Sequence, residues 1–179
     1  MLPSEARQTR LKNDYVEMTN IRGQIVQWRP INGTPPFVTS YEVTLSVRTL
    51  VDSSSTMRAN HVVRVELPEG YPVSPPAIVM VTRPKPFHPN WYPDGRYCYG
   101  SWDIAEGLGH HIVRMIRTLQ FDPEITDPNS PADGSARDYY VANARSGQFP
   151  TDQQVLPDPT TGRFVVLLSA PKAFRIVER

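Results

Sequence analysis

Cysteine is nearly absent from this chain of 179 residues: Cys98 stands alone. It cannot close an internal disulfide, and a reducing compartment is expected. Net charge is nearly absent too, since 19 Lys and Arg against 18 Asp and Glu leave a formal +1. That balance gives no overall field for nucleic acid or an anionic membrane surface, so any charged partner must meet a local patch. Long apolar runs are missing as well. The longest, Phe164 to Leu168, falls far short of the ~20 residues of a membrane helix, and the acidic, proline-containing start lacks the apolar region of a signal peptide. Neither nucleic acid nor a membrane is expected as a partner, and a cytoplasmic location is. The residue in excess is proline, 19 copies against a usual share of ~5 %. These prolines cluster between elements and punctuate a folded chain.

A chain of this length fits one domain with appendages and can bury roughly 70 % of its unfolded surface. From Arg7 to Arg22 the residues Leu11, Tyr15, Met18 and Ile21 recur at helical spacing among charges, which predicts an amphipathic helix ended by Gly23. Ile25 to Ile31 reads as a first strand. Tyr41 to Val47 and the Val63, Val65, Leu67 set alternate with polar residues as half-buried strands do, and Ala77 to Val81 is a short apolar fourth. Four strands in succession without intervening helices imply an antiparallel meander, and helices on one face make the class α+β. Arg83 to Tyr99, dense in Pro, aromatics and Gly, reads as an ordered irregular loop, the kind of segment that carries function. Ile112 to Leu119 predicts a core helix. Ser130-Pro131-Ala132-Asp133 predicts the start of another, with Ser130 as the cap, running through Tyr139 and Tyr140. Residues 1–145 are thus read as the catalytic domain and 146–179 as a C-terminal extension, with one strand expected over Arg163 to Leu168.

Cys98 lies in a glycine-bounded loop, Tyr97-Cys98-Tyr99-Gly100, rather than on an apolar helix face. A free thiol near pKa ~8.5 is only a few per cent thiolate at pH 7, yet thiolate is nucleophilic enough for thioester exchange. A buried structural cysteine is the competing reading. The neighbouring residues decide between them: Tyr71-Pro72, Pro75-Pro76, His88-Pro89-Asn90, then Cys98 ten residues after His88, Trp102, and a downstream Asp-Pro loop. In order and spacing this resembles the ubiquitin-conjugating enzymes, over roughly Arg7 to Ala142.

The resemblance implies the ubiquitin-conjugating fold and an acyltransferase. Cys98 would take a ubiquitin-like protein from an activating enzyme as a thioester and pass it to an amine of a protein substrate. Asn90 would donate its amide to the oxyanion formed as lysine attacks, and Asp127 would orient or deprotonate that lysine, whose pKa of ~10.4 leaves it protonated at pH 7. Asp122 is a competing position for that acid. His88, Pro89 and Trp102 would organise the active-site loop, and Arg7, Arg10 and Lys12 on the first helix would meet the activating enzyme. A loop-bracing Asn90 and a solvated turn aspartate at 127 are the alternatives. No cofactor is implied, ATP being used by the activating partner. No metal is expected either, because adjacent His110 and His111 with one cysteine lack a closed ligand set.

The chain departs from the family in two places. Trp102 stands only four residues beyond Cys98 and is followed by Asp103-Ile104, which shortens the exit from the active site, and Val73 replaces the aromatic residue usual after Tyr-Pro. Both belong to the surface that RING-type ligases grip, which weakens the case for such a partner. The divergence points to a distant branch, a bacterial one among the options. Two rivals remain: a binding module of the same fold that has lost catalysis, and a cysteine hydrolase pairing Cys98 with a histidine.

Overall fold

A computed structural model describes residues 4–163. Its elements are α1 (Glu5–Ile21), β1 (Val26–Thr34), β2 (Phe37–Leu50), β3 (Met57–Glu66), β4 (Ala77–Met80), α2 (Leu108–Leu119) and α3 (Gly134–Asn143). The four strands pair in sequence order as one antiparallel meander, and α1 and α2 pack together and against β2. The inward residues of β2 and β3 (Tyr41, Val43, Leu45, Val63, Val65) meet Leu11, Met18, Ile112, Met115 and Ile116 in one core. The α+β fold expected from the strand succession is therefore what the chain adopts, with the first three strands longer than expected and the fourth ending one residue earlier, at Met80. β1 and β2 run on to a hairpin whose loop is Pro35-Pro36, because the exposed tip needs no alternating pattern.

The helices are tied by buried charge rather than by apolar contact alone. Gly107 caps α2 without a side chain, so the orphan N–H groups of its first turn look elsewhere. The Asp14 carboxylate of α1 accepts from Leu108 N at 2.9 Å and Glu17 accepts from Gly109 N at 2.9 Å. Two α1 acids thus cap α2 from outside, at the end where the helix dipole favours negative charge. Glycine is required for this approach: a Cβ on Gly109 would lie 2.7 Å from that of Glu17, and one on Gly107 would collide with the Glu17 carboxylate.

The predicted helix start at Ser130 is not observed. α3 begins at Gly134 with Asp133 as its cap, the carboxylate accepting from Ala136 N at 3.0 Å. The preceding turn is held elsewhere, since the N–H groups of Ala132 and Asp133 both donate to the Pro89 carbonyl, at 2.7 and 3.3 Å. Residues 146–163 of the expected extension return across the domain. Thr151 N donates to Gln120 O, Asp152 accepts from Arg48 N, and Asn20 Nδ2 donates to Pro159 O, each at 2.8 Å. The strand expected from Arg163 to Leu168 lies, beyond its first residue, outside the described residues.

Candidate functional site

The site grows from a turn. Tyr92 N donates to Arg96 O and Gly95 N to Tyr92 O, both at 2.9 Å, and Trp91 bridges Tyr97 in antiparallel fashion. This short ribbon returns the chain so that Cys98 N donates to Asn90 O at 2.8 Å. His88 anchors its base: the ring is fully buried, packs on Phe121 with centroids 4.1 Å apart, and accepts from Asn90 N through Nδ1 at 2.9 Å. Burial pushes its pKa down to about 3, so at neutral pH the ring is uncharged and a weak base, poorly suited to take the proton of a thiol.

Three segments meet here. Asn90 Oδ1 accepts from Asp127 N at 3.2 Å, which joins the 88–98 ribbon to the loop after α2, and Pro89 joins it to residues 132 and 133. A cavity of about 350 Å³ lies between them, lined among others by Asn90, Cys98, Arg114, Asp127 and Ser130. A second groove, of about 360 Å³ and lined by Pro75, Pro76, Tyr92, Arg96, Cys98 and Tyr99, opens on the same half-buried thiol. Cys98 is thus reachable from two sides.

Of the residues expected from sequence, Cys98, Asn90, Asp127, His88 and Pro89 come together. Asp127 accepts from Asn129 N at 2.8 Å in a turn of its own and still lines the cavity. Asp122 is taken up by Arg117 at 2.7 Å. Trp102 stands farther off, its Nε1 donating to Pro72 O at 2.8 Å. Arg7 and Arg10 do not form an outward basic face. Arg7 donates to the carbonyls of Pro68 and Tyr71 at 2.7 and 2.9 Å. Arg10, with a side chain only 14 % exposed, pairs with buried Asp14 at 3.0 Å and donates to the Tyr71 hydroxyl and to Ile104 O. Lys12 alone of the three is exposed. Among the described residues no cluster of three or more His, Cys, Asp or Glu could hold a metal, and no helix is long and apolar enough to cross a membrane.

Sequence reasoning missed two residues at the site. Tyr92 lines the groove that opens on Cys98, and its interaction with that side chain raises the phenol's pKa. Its signal was the Pro93-Asp94-Gly95 turn, which folds Tyr92 back beside a cysteine six positions on. Arg114 lines the cavity from α2, and its place on an apolar-rich helix disguised it.

No protein-family model matches the chain. Among curated proteins it is similar to ubiquitin-conjugating enzyme 15 of Arabidopsis thaliana, 33 % identical over 54 % of this chain and 60 % of that one. It is also similar to ubiquitin-conjugating enzyme E2 1 of Caenorhabditis elegans, 31 % identical over 45 % of this chain and 41 % of that one. The chain therefore spans between two fifths and three fifths of the length of these relatives. Among solved structures, human ubiquitin-conjugating enzyme E2 G1 aligns with a TM-score of 0.52 over 69 % of this chain and 99 % of that one, at 18 % identity. The resemblance read from the motifs is borne out, by sequence over about half of the chain and by fold over more than two thirds of it.

Proposed function

We propose that this chain, a divergent member of the ubiquitin-conjugating family, carries a ubiquitin-like protein on Cys98 and transfers it to an amine. The observation that carries this reading is the placement of a half-buried thiol between two openings, with the Asn90 backbone and amide on one side and Asp127 across the same cavity. In loading, the Cys98 thiolate attacks the carbonyl carbon of a thioester held by the activating enzyme. The C–S bond to that enzyme breaks, and its thiolate leaves. In discharge, a neutral lysine amine attacks the Cys98 thioester and passes through a tetrahedral oxyanion. The C–S bond to Cys98 breaks, the amine proton is released, and an isopeptide bond remains. Asn90 Nδ2 is the donor for that oxyanion, its Oδ1 being held by Asp127 N–H, which fixes the amide's orientation. Asp127 orients the incoming lysine or takes its proton. A protein substrate, the modifier and an activating enzyme are the implied partners, and the reducing cytoplasm suits a free catalytic thiol.

A cysteine hydrolase is disfavoured because His88 is buried, uncharged and engaged with Asn90 N. The rival of a catalytically silent module of the same fold is separated by one experiment. With its cognate activating enzyme, modifier and ATP, the wild-type chain should form an adduct that thiols cleave, Cys98→Ser one that thiols do not cleave, and Cys98→Ala none. Adduct on Cys98→Ala equal to wild type would remove the reading.

A further inference from the structure

Beyond Cys98 the backbone is held from outside. No backbone–backbone hydrogen bond is made by residues 99–101 among the described residues, and Gly100 sits at φ +75°, where the chain turns without the help of a regular element. The next fixed point is Trp102, clamped to Pro72. Between them, among the described residues, a single side chain reaches the main chain: Arg114 Nη1 donates to Tyr99 O at 2.7 Å. The same guanidinium engages both carboxylate oxygens of Glu106, Nε to Oε1 at 2.8 Å and Nη2 to Oε2 at 2.6 Å. This two-point fork fixes the plane of the guanidinium as well as its position. Glu106 is held in turn by His111 Nδ1 at 3.1 Å, and that fully buried ring is wedged edge-on against Tyr99 and Trp102, with centroids 5.2 Å away in each case.

We infer that Arg114 is a positioning residue for the acyl group on Cys98, locking the Tyr99 carbonyl, and with it the Cys98–Gly100 turn, in the place of a longer exit loop. The inference rests on the reading of Cys98 as the acyl carrier. Glu106 is the brace: it holds two of the three guanidinium nitrogens and leaves Nη1 aimed at the carbonyl. The acyl carbon hangs from Cys98, so slack in the residue after it spreads the angle at which an amine can approach. Errors of about an ångström in such geometry cost up to about a hundredfold in rate.

The test uses the full chain as wild type, Arg114→Met, Arg114→Lys and Glu106→Gln. The first readout needs no partner: backbone amide order parameters of Tyr99, Gly100 and Ser101 by nuclear magnetic resonance. In Arg114→Met they should fall from the rigid range near ~0.85 to below ~0.6, while β2 and β3 keep theirs. The second is single-turnover discharge of preloaded thioester across lysine concentrations. The maximal rate should drop about tenfold or more, with the half-saturating lysine concentration changed less than twofold. Lysine at 114 keeps the charge and loses the fork, so Arg114→Lys should restore under a third of the rate, and Glu106→Gln should lie between it and wild type. Unchanged order parameters at 99–101 in Arg114→Met, or a wild-type maximal rate with merely lowered stability, would overturn the inference. If the wild type never forms a thioester, the reading of Cys98 fails instead, and the order parameters still show whether Arg114 holds the segment.

Discussion

On the upstream side of Cys98, from His88 to Tyr97, the backbone is fixed by buried, uncharged groups: His88 on Phe121, Trp91 on Tyr97, and the Tyr97 hydroxyl 3.0 Å from Thr118 Oγ1. On the downstream side, from Tyr99 to Glu106, it is fixed by charges reaching in from helices: Arg114 to Tyr99 O, Arg10 to Ile104 O and to the Glu106 carbonyl. One flank is core and the other is a set of guanidinium clamps. A site built this way holds the chain before Cys98 by packing and the chain after it by charged hydrogen bonds from helix side chains.

The two tryptophans give the sharpest test of that contrast. Trp91 is fully buried, and Trp91→Ala should lose about 3–5 kcal/mol, the usual cost of emptying such a site. Trp102→Phe keeps a ring and loses one hydrogen bond, for about 1 kcal/mol. Denaturant midpoints measure both, and equal losses would erase the distinction between the flanks. The next largest effect is on rate. Asn90→Ala should load Cys98 nearly normally and discharge to free lysine about 10²-fold more slowly, as loss of one oxyanion donor predicts. Asp127→Ala should also discharge slowly but recover partly as pH rises, because more lysine is already neutral. Wild-type discharge in both would leave Asn90 and Asp127 as braces of the loop.

Acid should separate the flanks by pH window. His88, with its folded pKa pushed down from 6.5 to about 3 by burial, stays uncharged while the unfolded chain takes up a proton, so stability falls as pH drops from 6.5 towards 3. The slope is at most about 1.4 kcal/mol per pH unit for one group. Burial raises the Glu106 pKa, but hydrogen bonds and charge from His111 and Arg114 outweigh it and carry it from 4.5 down to about 2. Its contribution is complete above 4.5 and is lost as pH falls from there towards 2. Burial also lowers His61 and His111 and adds to the first window. The difference between wild type and His88→Gln should therefore begin to change already near pH 6.5 and continue towards 3, and that for Glu106→Gln should change only below about 4.5. Melting curves across pH decide it, and a Glu106→Gln difference that changes mainly above 5 would contradict the assignment.

The upstream flank was legible in the sequence because its residues are adjacent and rigid: His88-Pro89-Asn90 and a cysteine ten residues on describe one local ribbon. The meander was legible because alternation in β2 and β3 reflects a buried face directly. The downstream flank was hidden because Arg114 and Glu106 act across the chain on a carbonyl, and no pattern of residue types marks which carbonyl needs a partner. The start of α3 was misplaced for the same reason, since Ser130-Pro131 carries a good local helix signal that the Pro89 carbonyl overrides. Arg7 and Arg10 look like a solvated basic face in a helical projection, yet buried Asp14 and the carbonyls around Tyr71 claim them.

That last reassignment yields the smallest expected effect. If the exposed face of α1 docks an activating enzyme, Lys12 is the charge left to do it, with Arg7 and Arg10 spent inside. Charge at the rim of an interface acts mainly on association rate and is screened by salt. Lys12→Glu should therefore slow loading by about two- to fivefold near 50 mM salt and by less than twofold near 500 mM, with an unchanged denaturation midpoint. Arg7→Glu should behave differently: it strips the Pro68 and Tyr71 carbonyls of their donor, so it lowers the midpoint, and its effect on loading follows stability rather than ionic strength. Loading rates at the two salt concentrations, read beside the midpoints, test both. A salt-dependent defect in Arg7→Glu at wild-type stability would return that residue to the docking face, and salt-independent loading in Lys12→Glu would remove electrostatic docking from α1 altogether.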